Sequence, residues 1–313
     1  MHKRRLNEFT LQLTIEPDGP ILIKSGTESG ADPTLPSMNF VRTRHPRSGE
    51  PTIYLPGASL KGVVRSHSER IIRTVFGTDN ERICCDPLSR DNNCSSRIRK
   101  ANIKETDAQY KELCLACRVY GHMEQASHFV AADAYPDEAI DTLPVRHNVA
   151  IDRLSGGVAV GPFDMEVALD GRFQTTMRLH NFETWQIGLL ALALRDLKTG
   201  QVRLGFAKSR GLGAVRVTFD ALEIGYPGQF DAQVYPFGKK LLGVGALAQD
   251  MVTAYGFQPG DALDYPTPIE VEDDWGRQKV SLQGDEAITE LFKTAVSAWA
   301  SIDLQQTQKE AVS

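Results

Sequence analysis

The sequence predicts an α+β fold, and three segments carry that prediction. Residues 9–15, FTLQLTI, alternate apolar and polar side chains, as a half-buried strand does. Residues 59–76 repeat apolar side chains at helical spacing and stop before Gly77, a residue typical of helix ends. Residues 184–197, TWQIGLLALALRDL, predict a strongly apolar helix, which must be buried and therefore favours packing against a sheet.

Further patterns extend this framework along the chain. Residues 21–24, ILIK, predict a second strand, and residues 173–182 predict a later one. Two β-rich runs, 145–151 and 163–169, flank a glycine-containing loop and predict a long hairpin. Residues 286–302 have the spacing of an amphipathic helix near the end of the chain.

The composition predicts a cytoplasmic globular protein. The chain has 313 residues, 41% of them hydrophobic, which is ordinary for a globular protein. No apolar run is long enough for a membrane span, and polar residues interrupt the segment where a signal peptide would have its apolar core. We therefore expect no contact with a membrane.

The charge is unevenly distributed along the chain. The whole sequence has a net charge of −5, which argues against a general nucleic-acid binder. Residues 221–313 contain 14 acidic and 6 basic residues, so residues 1–220 have a net charge of +3. Basic residues thus concentrate in the first two thirds, whereas the acidic tail is either a solvated surface or a patch for a basic protein.

The start of the predicted helix has features of a phosphate site. Ser59 is a plausible N-cap, and Lys61 and Arg65 are four residues apart, so they share one helix face. A helix N-terminus attracts phosphate, and Gly62 suits the close approach of another backbone, such as a phosphodiester. The alternative interpretation is an amphipathic surface helix with solvated cations.

A second stretch, residues 204–213, also has the composition of a phosphate-binding loop. Its three glycines permit exposed backbone N–H groups, and Lys208 and Arg210 add positive charge. The pattern fits neither the GxGxxG motif nor the P-loop motif GxxxxGK[ST], so a mononucleotide site is not supported. The alternative is an ordinary loop.

Five cysteines lie within 34 residues and suggest a structural metal site. The pair Cys114 and Cys117 has CxxC spacing, which lets two thiolates reach one ion. The second pair is Cys94 with Cys84 or Cys85, and we take Cys85 as the ligand. In a reducing compartment four thiolates favour zinc over disulfides, although five unrelated cysteines are the alternative.

Four stretches together resemble one family. They are LPGASLKGVVRSHSERI, CLACRVYG, AIDRLSGG and LGFAKSRGLG, which occur in this order in the RAMP proteins of CRISPR systems. More closely, the chain resembles the backbone subunits of type III effector complexes, of the III-D kind. The resemblance covers roughly residues 9–220.

The resemblance implies a modified ferredoxin-like, RRM-like domain over residues 1–225. It also implies a zinc-binding insertion at residues 78–120 and a thumb hairpin at residues 135–165. Residues 226–313 would be an acidic extension that ends in the amphipathic helix, and this part has no counterpart in the resemblance.

The resemblance further implies that copies stack along a guide RNA, with other CRISPR subunits as partners. The residues expected to bind the guide backbone are Ser59, Lys61, Gly62, Arg65, Lys208, Ser209, Arg210 and Gly211. The thumb hairpin, which carries Arg153, would wedge between guide and target RNA.

Family members often cut target RNA with an acidic residue in the loop after the second strand, here residues 25–47. The candidate is Asp32, acting as a base or with Mg²⁺ or another divalent metal. The family's aspartate falls nearer the end of this loop, where this chain has Ser37 and Met38. Either Asp32 reaches the site, or this copy does not cut.

Two other functions compete with the RNA-guided subunit. One is a stand-alone metal-dependent endoribonuclease that processes CRISPR precursor RNA, although the histidines are scattered. The other is a zinc-stabilised scaffold that binds only proteins. A steep fall of RNA affinity with salt separates both RNA-binding functions from the scaffold.

Overall fold

A computed structural model describes residues 3–26, 38–78, 80–228 and 234–302. The strands are β1 (Glu8–Pro17), β2 (Arg42–Arg44), β3 (Pro51–Ile53), β4 (Phe129–Ala131), β5 (Tyr135–Pro136), β6 (Val145–Ile151), β7 (Val158–Glu166), β8 (Phe173–His180), β9 (Val215–Tyr226), β10 (Lys240–Leu242), β11 (Ala262–Asp264), β12 (Val271–Asp274) and β13 (Arg277–Gln283). The helices are α1 (Gly57–Phe76), α2 (Cys94–Lys100), α3 (Thr106–Lys111), α4 (Leu115–Tyr120), α5 (Thr184–Lys198), α6 (Val244–Leu247), α7 (Gln249–Tyr255) and α8 (Asp285–Ala300).

One antiparallel sheet organises the protein, with the strand order β12-β13-β9-β1-β8-β4 and β5 also on β8. The central strand β1 pairs Phe9 with Leu179 of β8 on one side and with Ile224 of β9 on the other. Alternate side chains of β1, from Phe9 to Ile15, are fully buried. The alternation seen in the sequence therefore marks the face of the sheet that builds the core.

Helices α1, α5 and α8 form a layer on this buried face. Phe292 of α8 packs against Phe9 and Phe219, with ring centroids 6.2 Å and 5.1 Å apart. Helices α5 and α8 approach closely at Gly188, where an added Cβ would lie 2.3 Å from the Ala295 carbonyl oxygen. The result is the α+β fold that the sequence predicts, with one helical layer on an antiparallel sheet, and it is compatible with the modified ferredoxin-like domain that the resemblance implies.

Two observations refine the predicted elements. Residues 21–24 do not form the second strand that was expected, because only isolated bridges join Ile21 to Ala168 and Lys24 to Phe40. The tail contributes β12 and β13 to the main sheet and α8 to its helical layer. The division of the chain at residue 225 stays a prediction.

None of the helices in the described ranges has both the length and the apolar character that crossing a membrane requires.

Candidate nucleic-acid groove, hairpin and cysteine cluster

Helix α1 begins earlier than predicted, and its start is held by a carboxylate of the same chain. The helix starts at Gly57, after Pro56, so the expectation that Ser59 is the N-cap is wrong. The Gly57 N–H donates to Asp133 Oδ1 at 2.7 Å. A Cβ at Gly57 would lie 2.2 Å from the Ala131 carbonyl oxygen, so only glycine lets the helix dock here. The Asp133 carboxylate thus takes the anion position at the first N–H group.

Lys61 and Arg65 share a helix face, as their spacing predicts, but that face turns toward the protein. Lys61 Nζ donates to the Phe129 carbonyl oxygen at 3.3 Å. Arg65 donates to Glu69 at 3.0 Å and to the Gly121 carbonyl oxygen at 3.1 Å. Burial lowers the pKa of Lys61, and the nearby Arg65 charge lowers it further.

An adjacent face of α1 lines an open groove of about 350 Å³. From the helix, Ser59, Gly62 and Ser66 contribute to it, and Lys208 contributes from the glycine-rich loop. A Cβ added at Gly62 would meet nothing within 4 Å, so the groove is unobstructed there. Two stretches that are about 140 residues apart in the sequence therefore meet at one surface.

The backbone of the glycine-rich loop explains how Lys208 reaches this groove. Gly205 has a φ of +77°, and an added Cβ would lie 2.2 Å from the Leu22 carbonyl oxygen. The Phe206 N–H donates to that same oxygen at 2.7 Å. A short 3-10 turn, Lys208–Arg210, follows and ends at Gly211. Glycine at position 205 thus permits the close docking that presents the cations.

Cations gather around Phe206 in the groove. Lys24 Nζ lies 5.7 Å and the Arg210 guanidinium carbon 5.4 Å from the centre of its ring. Burial lowers the pKa of Lys208, and the charge of Arg70 lowers it further. These cations repel one another, and a bound anion would relieve that repulsion, so the groove favours anion binding. The sequence analysis missed Lys24 and Phe206, although both lie within segments that it singled out.

The predicted hairpin is formed by β6 and β7, which pair with each other from Val145↔Glu166 to Ile151↔Val158. Asp152 Oδ1 accepts hydrogen bonds from the N–H groups of Leu154 and Ser155, which fixes the turn at the tip. Arg153 lies in this turn, and Leu154 beside it is 99% exposed. The tip therefore presents one cation and one apolar side chain to solvent.

The base of the hairpin is anchored to the residues after the long loop. The N–H of Met38 donates to the Asp164 carbonyl oxygen at 3.1 Å, and that of Glu166 donates to the Met38 carbonyl oxygen at 2.9 Å. Arg42 donates to both carboxylate oxygens of Glu166, at 2.7 Å and 3.0 Å. Asp32, the candidate for target cleavage, lies outside the described residues.

The structure gathers Cys85, Cys94, Cys114 and Cys117 in a buried cluster, with all four sulfurs within 4.8 Å of one another. Cys85 Sγ lies 3.7 Å from both Cys117 Sγ and Cys114 Sγ. Four sulfurs at about 2.3 Å from a tetrahedral zinc ion are about 3.8 Å apart. The cluster therefore has the dimensions of a tetrathiolate metal site.

Hydrogen bonds and charges around the cluster suit thiolates. Arg97 donates to Cys94 Sγ at 3.3 Å, and Arg65 donates to Cys117 Sγ at 3.7 Å. Four thiolates and one divalent cation have a net charge of −2, and these two guanidinium groups offset part of it.

Cys84 does not belong to the cluster. Its thiol donates to the Glu69 carbonyl oxygen at 3.8 Å, and burial raises its pKa to about 12. Cys84 therefore stays a neutral thiol, whereas Cys85 supplies the fourth sulfur.

A sequence model of the RAMP superfamily matches residues 14–216, and the chain belongs to that superfamily. No curated protein matches the chain. Among solved structures, a chain described as "Type IV-B CRISPR Complex" is 19% identical, with a TM-score of 0.46. The match covers 67% of this chain and 89% of that chain.

Proposed function

We propose that the chain is a guide-RNA-binding backbone subunit of a CRISPR effector complex, of the type III kind and nearest to type III-D. The observation that carries the proposal is the convergence of α1 and the glycine-rich loop on one cationic groove. A groove with a positive lining and a glycine floor suits a phosphodiester backbone. Membership of the RAMP superfamily agrees with this role.

In this proposal the guide backbone lies along the groove and contacts both walls. Its contacts come from Ser59, Gly62, Lys208, Ser209, Arg210 and Gly211, together with Lys24. These contacts are independent of base identity, so the subunit would accept any guide sequence. Lys61 and Arg65 donate hydrogen bonds to groups of the protein itself, and their predicted contact with RNA stays a prediction.

The exposed tip of the β6–β7 hairpin suits the role of a thumb between guide and target RNA. Leu154 offers an apolar wedge, and Arg153 offers a cation for a phosphate. We assign target cleavage, where it occurs, to Asp32 with Mg²⁺ or another divalent metal. The loop that carries Asp32 leads into Met38, at the base of this hairpin, which agrees with action beside the thumb.

We also propose that the four clustered cysteines hold structural zinc. The metal would tie together the segment that links α1 to β4, because Cys85 precedes α2 and Cys114 caps α4. The support for zinc is the tetrahedral spacing of the sulfurs and their burial.

The test is to express the chain with its neighbouring genes and a CRISPR array, purify it, and sequence any bound RNA. Short RNAs of uniform length with a repeat-derived end are the expected result. Heterogeneous cellular RNA would favour a processing nuclease instead, and absence of RNA would favour a protein scaffold.

A further inference from the structure

The β6–β7 hairpin carries a histidine–aspartate pair near its base. His147 and Asp164 lie directly opposite each other on the two strands, and His147 Nδ1 lies 2.7 Å from Asp164 Oδ1. The imidazole is 74% exposed and the carboxylate 41%. Of the six histidines in the described ranges this one alone is exposed, since the other five are buried or half-buried. Because an exposed ion pair adds little to stability, the arrangement suggests a chemical role rather than a structural one.

The carboxylate determines which ring nitrogen of His147 can take up a proton. An ionised carboxylate only accepts hydrogen bonds, so Nδ1 carries the hydrogen and donates it to Asp164 Oδ1. In the neutral ring the lone pair then lies on Nε2. Within the described ranges no group hydrogen-bonds to Nε2, so this nitrogen is open to a ligand. An imidazole oriented in this way by a carboxylate is suited to proton transfer.

The pair lies beside the place where the chain returns from the long loop after residue 25. Strand β7 has β6 on one edge, and on its other edge Met38 bridges Met165. The N–H of Met38 donates to the carbonyl oxygen of Asp164 at 3.1 Å, so the end of the loop contacts the residue that orients the imidazole. Asp32 is six residues before Met38 in the sequence. The imidazole and the end of the loop with the candidate aspartate therefore meet at the base of the hairpin.

Two guanidinium groups accompany the pair. Glu166 follows Asp164 by two residues in β7, so the two side chains share one face of the strand, about 7 Å apart. Arg42 binds Glu166 through both carboxylate oxygens, which holds its guanidinium group on that side of the hairpin base. Arg146, next to His147, is exposed and forms no ion pair with a residue of the described ranges. Positive charge at this place attracts the phosphates of an RNA strand.

We propose that His147 is a general base for cleavage of target RNA and that Asp164 positions it. This role rests on the proposed function, in which the hairpin separates guide and target RNA. His147 Nε2 takes the proton of a ribose 2′-hydroxyl, the 2′-oxygen forms a bond to the adjacent phosphorus, and the bond from phosphorus to the 5′-oxygen breaks. A solvent water protonates the leaving 5′-oxygen, and the hydroxide left behind takes the proton of the imidazolium. The products end in a 2′,3′-cyclic phosphate and a 5′-hydroxyl.

His147 and Asp32 have separate tasks in this reaction. Attack by the 2′-oxygen concentrates negative charge on the phosphate oxygens, and a divalent metal at Asp32 would stabilise that charge. Removal of the 2′-hydroxyl proton is the task of the imidazole, which becomes an imidazolium. The Asp164 carboxylate stabilises this imidazolium, because its oxygen already accepts the Nδ1 hydrogen. The loss of either His147 or Asp32 should therefore slow cleavage for a different reason.

Single-turnover cleavage of a complementary target RNA by the guide-bound complex tests this role. His147→Ala should lower the rate about 100-fold or more, while the purified complex keeps the same amount of guide RNA. Asp164→Asn should also slow cleavage, because an amide at this position can donate to Nδ1 and favour the wrong tautomer. Asn148→Ala is the matched control. Its side chain lies on the opposite face of β6 and bonds to the Arg146 carbonyl oxygen, so its loss should leave the rate unchanged.

Chemical rescue distinguishes a base from a structural residue. Because the side chain is exposed, imidazole added to the His147→Ala complex can reach the site and should restore part of the rate, whereas it should not restore Asp32→Ala. A guide-bound wild-type complex that does not cut, a His147→Ala rate equal to wild type, a loss that imidazole does not restore, or products with a 5′-phosphate would each overturn this role. All four leave guide binding intact. Purification without guide RNA would overturn the proposed function, and this role with it.

Discussion

Asp133 holds the first turn of α1 from 76 residues away, since its Oδ1 accepts the Gly57 N–H at 2.7 Å. Hydrogen bonds to unpaired N–H groups at a helix start stabilise proteins by about 1 kcal/mol. Asp133→Ala should therefore lower the free energy of unfolding by about that amount in urea denaturation. Asp170→Ala, which removes an exposed carboxylate elsewhere, is the control and should change stability little. Equal stability of the two variants would show that this hydrogen bond contributes nothing.

Two helical glycines should respond oppositely to replacement by alanine. At Gly188 the new Cβ would lie 2.3 Å from the Ala295 carbonyl oxygen, so α5 and α8 must separate. We expect Gly188→Ala to destabilise the protein by about 1–3 kcal/mol. At Gly62 the Cβ meets open space, so Gly62→Ala should stabilise α1 by up to about 1 kcal/mol. Thermal unfolding of both variants checks the pair, and a loss of stability at Gly62 would contradict the observed open groove.

The cysteine cluster predicts a specific pattern of metal loss. Cys114→Ser should abolish bound zinc, measured by elemental analysis, and lower the melting temperature, because the insertion depends on the metal. Cys84→Ser should keep its zinc, since that thiol lies outside the cluster. Zinc retained by Cys114→Ser, or absent from the wild-type protein, would contradict the proposed zinc site.

The buried carboxyl of Asp261 predicts a pH dependence of stability. Burial and the nearby Glu183 raise its pKa to about 7, far above the usual value of about 3.9. The folded protein therefore favours the protonated form, so this group stabilises the fold below about pH 4 and that stability is lost as pH rises through 7. The full effect is on the order of 4 kcal/mol.

Asp261→Asn isolates this effect, because asparagine cannot ionise and still offers an oxygen to the Thr184 N–H, which donates to Asp261 Oδ2 at 3.0 Å. Urea denaturation between pH 4 and 8 should show wild-type stability falling relative to the variant. Parallel profiles of the two proteins would show that Asp261 keeps an ordinary pKa.

The elements that the sequence predicted are those in which the spacing of apolar residues along the chain shows which face is buried. The alternation of β1 and the apolar spacing of α5 and α8 record directly which face is buried. Residues 21–24 have the composition of a strand, but only isolated bridges join them to other segments, so they form no continuous hydrogen-bond ladder. Strand β12, Val271–Asp274, was not predicted, because its acidic side chains hide its membership of the sheet edge.

The candidate site divides in the same way. The start of α1 and the glycine-rich loop were each recognised by their glycines and cations. The sequence around either stretch does not reveal that Gly62 and Lys208 line one groove. Tertiary contacts also turned Arg65 toward the cysteine cluster and placed Asp133 at the helix start. The CxxC spacing predicted the cysteine cluster, whereas the choice between Cys84 and Cys85 depended on which sulfur lies close to the other three.

The most direct test of the account is the salt dependence of affinity for single-stranded RNA, measured by fluorescence anisotropy. Lys24→Ala and Lys208→Ala should each weaken binding, and the loss should be the same for every RNA sequence. Each variant should also reduce the steepness of the fall of log affinity with log salt by about 0.7. Lys293→Ala, which removes an exposed cation on α8, is the matched control and should change neither quantity. Unchanged slopes for both groove variants, or losses that depend on sequence, would contradict a groove that holds the guide backbone.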